Sequence, residues 1–560
     1  MPSTRLKSRF PISTDTVIST AGGPCGHPLF NCLDMDFMKR FVLIPAVLFL
    51  AFACSGGEDD VPSAKVLRAL VDGIGAADGS IGGIRTEGAV ISLVFTMPLD
   101  ITGIDREKIS FTGGEVELSL SDAKTLTAVV KEPLEPLKRY SFTVAAGRQL
   151  GIMLDKDYEL TLYTGPDTTP KFPEISDEQL LTLVQEKTFS YFWDYAHPSC
   201  GLARERLGSG NTVTAGGSGF GIMTIPMAVE RGFITRAESA ARMRTIVEFL
   251  EGADRFHGAW PHWLDGNTGK VIPFSATDNG GDLVETAFLI QGLLTAAQYF
   301  DRTDEADIRD GIKSLWETVE WDWYTRGGQK VLYWHWSPNQ GWVKDMQIKG
   351  WNEALIVYVL GAASPTHPIS REVYDQGWAS GGAMTPGMAG PLFFAHYSFL
   401  GLDPRNLKDA YADYWQQNVA QALYNYQYCV RNSRRHAGYG EACWGLTASD
   451  YPKGYTASSP SNDKGTIAPT AALASFPYTP EESLKALRYF YYVLGDRLWG
   501  TYGFKDAFCL DVCWFANSYI AIDQGPIAVM IENYRTGLLW DLFMRDTDVQ
   551  SGLDKLGFSY

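Results

Sequence analysis

Residues 277–294 read TDNGGDLVETAFLIQGLL. The stretch opens on turn-forming residues, Asp278, Asn279, Gly280 and Gly281, and runs into an apolar helix. Asp278, Asp282 and Glu285 fall at i, i+4 and i+7, so a helix starting near Asp278 would place all three carboxylates on one face. Leu283, Ala287, Ile290 and Leu294 mark a separate apolar face. Three acids at the mouth of a buried helix repel one another unless a ligand or a proton transfer uses them. The alternative is capping, because free N–H groups and the macrodipole stabilise acids at helix N-termini. Capping accounts for one or two acids and leaves Glu285, read as two turns in, without a reason.

The surrounding chain is helical in pattern. Ser176, Asp177, Glu178 and Gln179 form a capping-box start before LLTLVQEKTFSYFWDYA. Further helices are expected at 222–231, 235–253, 282–300, 304–324, 350–362, 392–400, 407–431, 466–474, 480–496, 515–533 and 536–545. There is no βαβ alternation, G-x-S-x-G motif, phosphate loop or fixed-period repeat. About a dozen helices in one domain, residues 172–560, point to an (α/α)6 toroid: inner helices ring a cleft and loops at one end meet over it. A generic bundle or solenoid is the alternative. In a toroid, acids from distant parts of the chain can converge. Besides Asp282 and Glu285, the candidates are Glu353 in GWNEAL (350–355), Glu441 in GYGEACWGLTASD (438–450) and Asp523 in AIDQGP (521–526).

Such a set suits glycoside hydrolysis. One carboxylic acid protonates the leaving oxygen, and a second carboxylate acts as base or nucleophile. The acid needs a raised pKa, which burial beside aromatics supplies. Glu353 fits that role, with Trp351 two residues before it and the apolar ALIVYVLG after it; pairing to a distant Arg is its structural alternative. Asp282 and Glu285 are candidates for the base or for binding sugar hydroxyls. Asp523 reads as a loop residue before Gly525-Pro526, either functional or part of a turn. Supporting groups are Arg204 and Glu205 in GLARER, and His257, Trp260, His262 and Trp263 in FHGAWPHW (256–263). Trp334, His335 and Trp336, followed by Trp342, form a second aromatic–imidazole run. Two such runs favour a wet aromatic cleft over scattered core residues. Asn352, His396 and Trp444 are weaker candidates.

Composition narrows the partners. The chain has 560 residues and a formal net charge of −17, which disfavours nucleic acid and anionic lipid. Its 16 Trp and 27 Tyr suit carbohydrate, whose C–H faces stack on aromatic planes. The eight Cys show neither CxxC pairs nor zinc spacing, so no metal or other cofactor is expected. A disulfide among Cys200, Cys429, Cys443, Cys509 and Cys513 is left open. Residues 1–37 carry no pattern and read as lying upstream of a start at Met38. Residues 38–53 form a lipoprotein-type signal, Cys54 the lipid acceptor, and 54–63 an acidic tether. A cell-envelope lipoprotein of the outer membrane is expected, monomeric, facing the surface and meeting membrane only through its lipid anchor. Residues 64–166 alternate apolar and polar residues between Gly, Pro and Asp turns, as an all-β sandwich does.

Two resemblances carry this further. VFTMPLD and TLTAVVKEPLEPLKRYSFTV resemble the bacterial Ig-like modules that precede surface enzymes. The large domain is similar to the glucoamylase-like helical-toroid proteins of glycoside hydrolase family 144. The matching stretches are KTFSYFWDYAHPSCGLARER, GFGIMTIPMAVERGFITRAES, FHGAWPHWLDGNTG, DNGGDLVETAFLIQGLL, WHWSPNQGW, KGWNEALIVYVLGAASPTHPI, GYGEACWGLTASD and FANSYIAIDQGPIAVMIENYRTG. The likeness implies an (α/α)6 fold, no metal, and inverting hydrolysis of β-1,2-glucan, either endo or releasing sophorose from an end. It places Asp278, Asp282, Glu285, Glu353 and Asp523 at acidic cleft positions without separating acid from base. The alternatives are an α-glucan hydrolase, a non-catalytic glycan-binding surface lipoprotein, and a polysaccharide lyase. An acid-lined site would repel a lyase's uronic-acid substrate. Within the hydrolase reading, Glu353 is the expected acid, with Asp282 and Glu285 binding substrate or positioning water.

Overall fold

The chain was analysed as a computed structural model that describes residues 61–378 and 389–560. The expected leader, Cys54 and most of the tether lie outside the described residues. What is described is a β domain followed by a larger helical domain.

The β domain contains twelve strands: β1 (Ser63–Ala64), β2 (Val66–Val71), β3 (Ile74–Gly75), β4 (Ser80–Ile84), β5 (Ala89–Phe95), β6 (Ile109–Phe111), β7 (Val116–Asp122), β8 (Thr125–Val130), β9 (Arg139–Val144), β10 (Gly147–Gln149), β11 (Ile152–Leu154) and β12 (Tyr158–Thr164). They form a five-stranded sheet in the order β3-β2-β5-β8-β7, a four-stranded sheet β4-β12-β9-β6, and a small sheet β1-β11-β10. Alternation decides which face is buried: Ile91, Leu93 and Phe95 of β5 and Phe142 and Val144 of β9 turn into one shared core.

Among the described residues the helical domain contains fourteen α-helices: α1 (Asp177–Trp193), α2 (Ala215–Glu230), α3 (Arg236–Gly252), α4 (Leu283–Tyr299), α5 (Ala306–Glu317), α6 (Leu355–Ala363), α7 (Arg371–Gly377), α8 (Tyr414–Arg431), α9 (Pro469–Leu473), α10 (Pro480–Arg488), α11 (Gly495–Leu498), α12 (Ala521–Arg535), α13 (Leu538–Met544) and α14 (Thr547–Leu556). The capping box expected at Ser176 forms, with Gln179 bonding back to the cap. Helices α2, α4, α6 and α12 are buried almost throughout, while α3, α5 and α10 keep a polar face. Glycine makes the inner packing close. A Cβ on Gly219 of α2 would lie 2.1 Å from Phe288 O of α4, and one on Gly292 of α4 would lie 2.1 Å from Gly219 O. The two backbones therefore touch where they cross, and a side chain at either position would force them apart.

Several expected boundaries shift. The helix expected at 222–231 begins at Ala215, because the glycines of AGGSGFG serve this packing although their helix propensity is low. The helix expected at 392–400 is two 3-10 turns, Leu392–Ala395 and Tyr397–Leu400. Residues 407–413 precede α8 instead of belonging to it, and α7 and α14 are additional helices. The five cysteines considered for a disulfide are all free. Among the described residues, no helix is long and apolar enough to cross a membrane.

The domains meet at a tight seam. A Cβ on Gly82 of β4 would come within 2.6 Å of Asp511 Cα, and Cys513 Sγ donates to Thr164 O at 3.3 Å.

Candidate active site

The loops at the N-termini of α2, α4, α6 and α12 assemble two carboxylate groups. Short strand pairings place the first. β13 (Thr212–Thr214), β14 (Trp263–Asp265) and β15 (Val271–Ile272) form one sheet, which sets His262 beside the start of α2. β16 (Gly281–Asp282) pairs with β17 (His335–Trp336), bringing Asp282 opposite His335.

The acids of 277–294 converge, but not on one helical face. Helix α4 starts at Leu283 and Asp282 is its N-cap. Asp282 Oδ1 accepts the N–H groups of Val284 and Glu285, both at 3.0 Å. Its Oδ2 meets Trp334 Nε1 at 3.2 Å and His262 Nδ1 at 3.3 Å. Asp282, expected to be a catalytic candidate, is thus an anchor whose oxygens are already engaged. Glu285 sits in the first turn, not two turns in, and its Oε2 accepts the Gly216 N–H of α2 at 2.8 Å. Burial raises its pKa, and His262 opposes that rise. Asp278 is in a tight turn before the helix, with His335 Nε2 at 3.3 Å and Lys344 Nζ at 3.5 Å. Burial works against charge on His262, but Glu285, Asp282 and Asp278 outweigh it and push it up to about 9.

Glu353 closes this group from the turn before α6. Its side chain is partly exposed and meets no donor but its own backbone N–H. Burial pushes it up to about 7, and the charges of Glu285 and Asp282 add to the rise. Ser398 Oγ donates to the Glu353 carbonyl and fixes the turn.

The second group surrounds Asp523. This residue is in the first turn of α12 and not in a loop, since the helix runs through Gly525-Pro526. It is 1% exposed; Tyr397 OH reaches its Oδ1 at 3.4 Å and its Oδ2 has no donor. Burial and the neighbouring Asp506 raise its pKa well above the ordinary value. Hairpin β18 (Ala448–Tyr451) and β19 (Gly454–Ala457) brings Asp450 and Tyr455 alongside. Arg206, whose strand bridges Ile520, holds Glu205 through Nε at 3.0 Å and Asp450 through Nη1 at 3.2 Å. Tyr397 lies close to both groups, with Asp523, Glu353 and Glu285 all acting on its phenol.

The aromatic candidates divide. His262, Trp263 and the 45%-exposed Phe274 make a lip over Asp282, with ring centroids 4.3–5.8 Å apart. His257 stacks on Trp323 at 3.7 Å, bonds Glu320 at 2.8 Å and meets the edge of Trp336. Trp334 and His335 act through Asp282 and Asp278 as above. Six candidates are structural instead. Trp260 and Trp444 are fully buried core rings. Trp351 packs between Tyr414 and Phe399 and donates to Gln421 at 2.7 Å. Asn352 caps the turn before α6 through the Ala354 N–H. Arg204 holds the carbonyls of Tyr195, Ala196 and Gly210, which ties a loop. His396 is buried against Ser475, and desolvation keeps it neutral. Glu441 lies outside the site: its side chain is 66% exposed and 3.3 Å from Lys485. Asp450, Asp506, Tyr397 and Tyr455 are the residues that sequence reasoning missed. Asp506 left a trace, as an acid directly before the apolar run AFCL, and Asp450 ends the quoted motif GYGEACWGLTASD.

The chain is similar to known proteins across this region. A family model described as "Putative glucoamylase" matches residues 345–547. An exo β-1,2-glucooligosaccharide sophorohydrolase (non-reducing end) from Parabacteroides distasonis is 49% identical over 419 residues; the match covers 68% of this chain and spans 58% of that protein's length. Among solved structures, an endo-β-1,2-glucanase from Chitinophaga pinensis, in complex with sophorotriose and glucose, is 50% identical. It aligns with 69% of this chain and 99% of its own, with a TM-score of 0.67. A β-1,2-glucanase from Parabacteroides distasonis is 41% identical, covers 89% of this chain and 74% of its own, and also has a TM-score of 0.67.

Proposed function

The chain belongs to the glucoamylase-like family of glycoside hydrolase family 144 type, and from that membership we propose that it hydrolyses β-1,2-linked glucan by an inverting acid/base mechanism. The observation that carries the proposal is Glu353, a carboxyl with no partner side chain, raised to about 7 beside Glu285 and Asp282. Glu353 is the proton donor. Near neutral pH it keeps its proton in a large share of molecules and delivers it to the glycosidic oxygen as the bond breaks. Asp282 and Glu285 keep that proton in place through their charge. Asp282 needs no further role, since its four donors already use it.

Asp523 is the base. Its Oδ2 lacks a donor and its Oδ1 has only a long bond from Tyr397, so it has capacity to take a proton from water. Inversion requires the two carboxyls to leave room for that water, about 6.5–9.5 Å apart. Phe274, Trp263 and His262 on one side and Trp323, His257 and Trp336 on the other offer ring surfaces for glucosyl units. On the same reading the inner helices α2, α4, α6 and α12 belong to an (α/α)6 toroid. The β domain is an Ig-like spacer, and Cys54 anchors the protein to the outer membrane.

The deciding experiment incubates the protein with α- and β-glucans of defined linkage and follows product size. Cleavage of β-1,2-glucan is expected, with the first product appearing as the α-anomer by proton NMR. A β-anomer would overturn inversion, and cleavage restricted to α-glucans would overturn the substrate.

A further inference from the structure

The β16–β17 pair has two faces. In an antiparallel pair, residues directly opposite each other share a face, and successive residues alternate. Asp282 and His335 are opposite one another and turn towards His262 and Asp278. Gly281 and Trp336 form the next pair and turn the other way. A Cβ on Gly281 would lie 2.1 Å from the Tyr324 hydroxyl oxygen and 3.0 Å from Phe256 O, and Trp336 meets the rings of His257 and Trp323 at 4.8 and 6.0 Å. The acids therefore occupy one face of the ribbon and a group of rings the other.

His257 is held firmly in that group. With Gly258 it forms the corner of the turn 256–259, and both have left-handed backbone, with φ of 52° and 76°. Two-residue turns of this kind favour Asn, Asp or Gly, and a larger side chain there carries strain. The turn is clamped: Arg255 Nε donates to Gly258 O at 2.7 Å, and a Cβ on Gly258 would lie 2.0 Å from Thr318 O at the end of α5. The imidazole lies flat on Trp323, with 3.7 Å between centroids and 13° between planes, and Glu320 is 2.8 Å from its Nδ1. Core packing does not account for this arrangement, since Trp323 keeps 39% of its surface exposed and the His257 and Glu320 side chains keep 27% and 38%. Among the described residues, His257 Nε2, Glu320 Oε1 and Trp336 Nε1 have no partner. A flat apolar surface ringed by free hydrogen-bonding atoms complements a pyranose, which presents C–H groups on its face and hydroxyls at its edge.

We infer that Trp323, His257, Glu320 and Trp336 form a second glucan-binding site, separate from the acids, which holds a glucosyl unit of a chain whose other part lies in the cleft. Trp323 stacks on the sugar face and His257 Nε2 pairs with a hydroxyl, while Glu320 fixes the imidazole. The ribbon is one sheet thick, so a long chain passing over its edge reaches both faces and a short one does not. Occupying both raises affinity through effective concentration and leaves the bond-breaking step alone. The inference rests on the β-1,2-glucan hydrolase reading for the identity of the sugar.

Dependence on substrate length tests it. Trp323→Ala removes the stacking surface, and His257→Asn removes the ring while keeping a residue that tolerates the left-handed turn. In both variants KM for long β-1,2-glucan is expected to rise about tenfold, with the effect shrinking as the oligosaccharide shortens. A loss of equal size at every length, or one carried by kcat, would show a structural role and overturn the inference. No loss on the longest glucan would overturn it too. Calorimetry gives a reading without turnover. Glu353→Gln is expected to bind long β-1,2-glucan about tenfold more tightly than Glu353→Gln combined with Trp323→Ala, and equal affinities would remove the second site. A wild type that binds this glucan through Trp323 and cleaves none of it would overturn the hydrolase reading and leave the site standing. Cleavage by the wild type, with both variants matching it at every length, would do the reverse.

Discussion

The site and the seam both build a cluster of histidine and carboxylates, and they satisfy its charge differently. At the seam, His436 stands between two carboxylates, with Nδ1 2.6 Å from Asp511 and Nε2 3.1 Å from Asp463. Asp463 also accepts Tyr439 OH, Tyr428 OH and the Gly465 N–H, and Asp511 accepts the Ala437 N–H. Burial opposes charge on the imidazole, but its bonds to Asp463 and Asp511 outweigh that and push it up to about 9. Asp463 moves the other way, down to about 2, as burial is outweighed by the bond from His436. At the site, His262 is likewise pushed up to about 9, yet Glu353, Asp506 and Asp523 have raised pKa values. Where each carboxylate is met by the imidazolium and by further N–H or O–H donors, the cluster fixes structure: it seats β4 against the loop at Asp511. Where carboxyl oxygens lack such donors, protons remain on acids, which is what proton transfer to a leaving oxygen requires.

The contrast breaks first at Glu353. Glu353→Gln keeps the shape and removes the proton that can be given away. kcat on β-1,2-glucan should fall by about 10³-fold or more, roughly 4 kcal/mol in barrier height. Thermal unfolding should hold or rise slightly, because a desolvated acid has been removed. Wild-type turnover in that variant would end the assignment of Glu353 as donor. The seam should respond in the opposite sense. His436→Ala leaves two partly buried aspartates without their cation and should cost about 2 kcal/mol in denaturant unfolding. Turnover per folded molecule should stay at the wild-type value.

A pH series sharpens the comparison on unaltered protein. Glu353 works protonated, so kcat should fall as pH rises through about 7, approaching tenfold per unit above it. The seam should still hold there. The folded pKa of His436, about 9, is above the ordinary value, so its stabilisation is complete at mildly acidic pH and is lost only as pH rises through about 9. Activity and denaturation midpoint should therefore fall in separate pH windows. Coincident curves would mean that the alkaline loss of activity is unfolding.

Sequence made the carboxylates of the cleft legible where an acid interrupts an apolar helix start, as at Asp282, Glu285 and Glu353. It could not show how the acids are held. Asp278 reaches the group through a turn, because the β16–β17 pairing, which joins residues about fifty apart in the chain, sets where α4 begins. Asp506 and Asp450 depend on hairpins and on Arg206, contacts without a local pattern. Three aromatic candidates turned out to be core for a related reason. A Trp in a loop carries no mark of which way its ring turns, and Trp260, Trp351 and Trp444 turn inward. The helical class followed from periodicity, whereas the early start of α2 did not. Its glycines lower helix propensity locally and repay it only through contact with α4.

Glu441 gives the smallest effect and the sharpest test of that misreading. It stands in the same motif as Asp450, GYGEACWGLTASD, and on sequence it is as strong a candidate as any acid there. In the fold, Cys443, Trp444 and Leu446 are buried between the two acids, so the motif passes through the core. Asp450 emerges at Arg206, and Glu441 emerges on the outer surface beside Lys485. An exposed pair of this kind contributes less than about 0.5 kcal/mol. Glu441→Gln should leave kcat, KM and the denaturation midpoint within experimental error. Asp450→Asn, nine residues along the chain, should weaken the hold on Arg206 and lower kcat severalfold. If Glu441→Gln proved the more damaging of the two, the division between the Arg206-linked wall and the outer surface would be wrong.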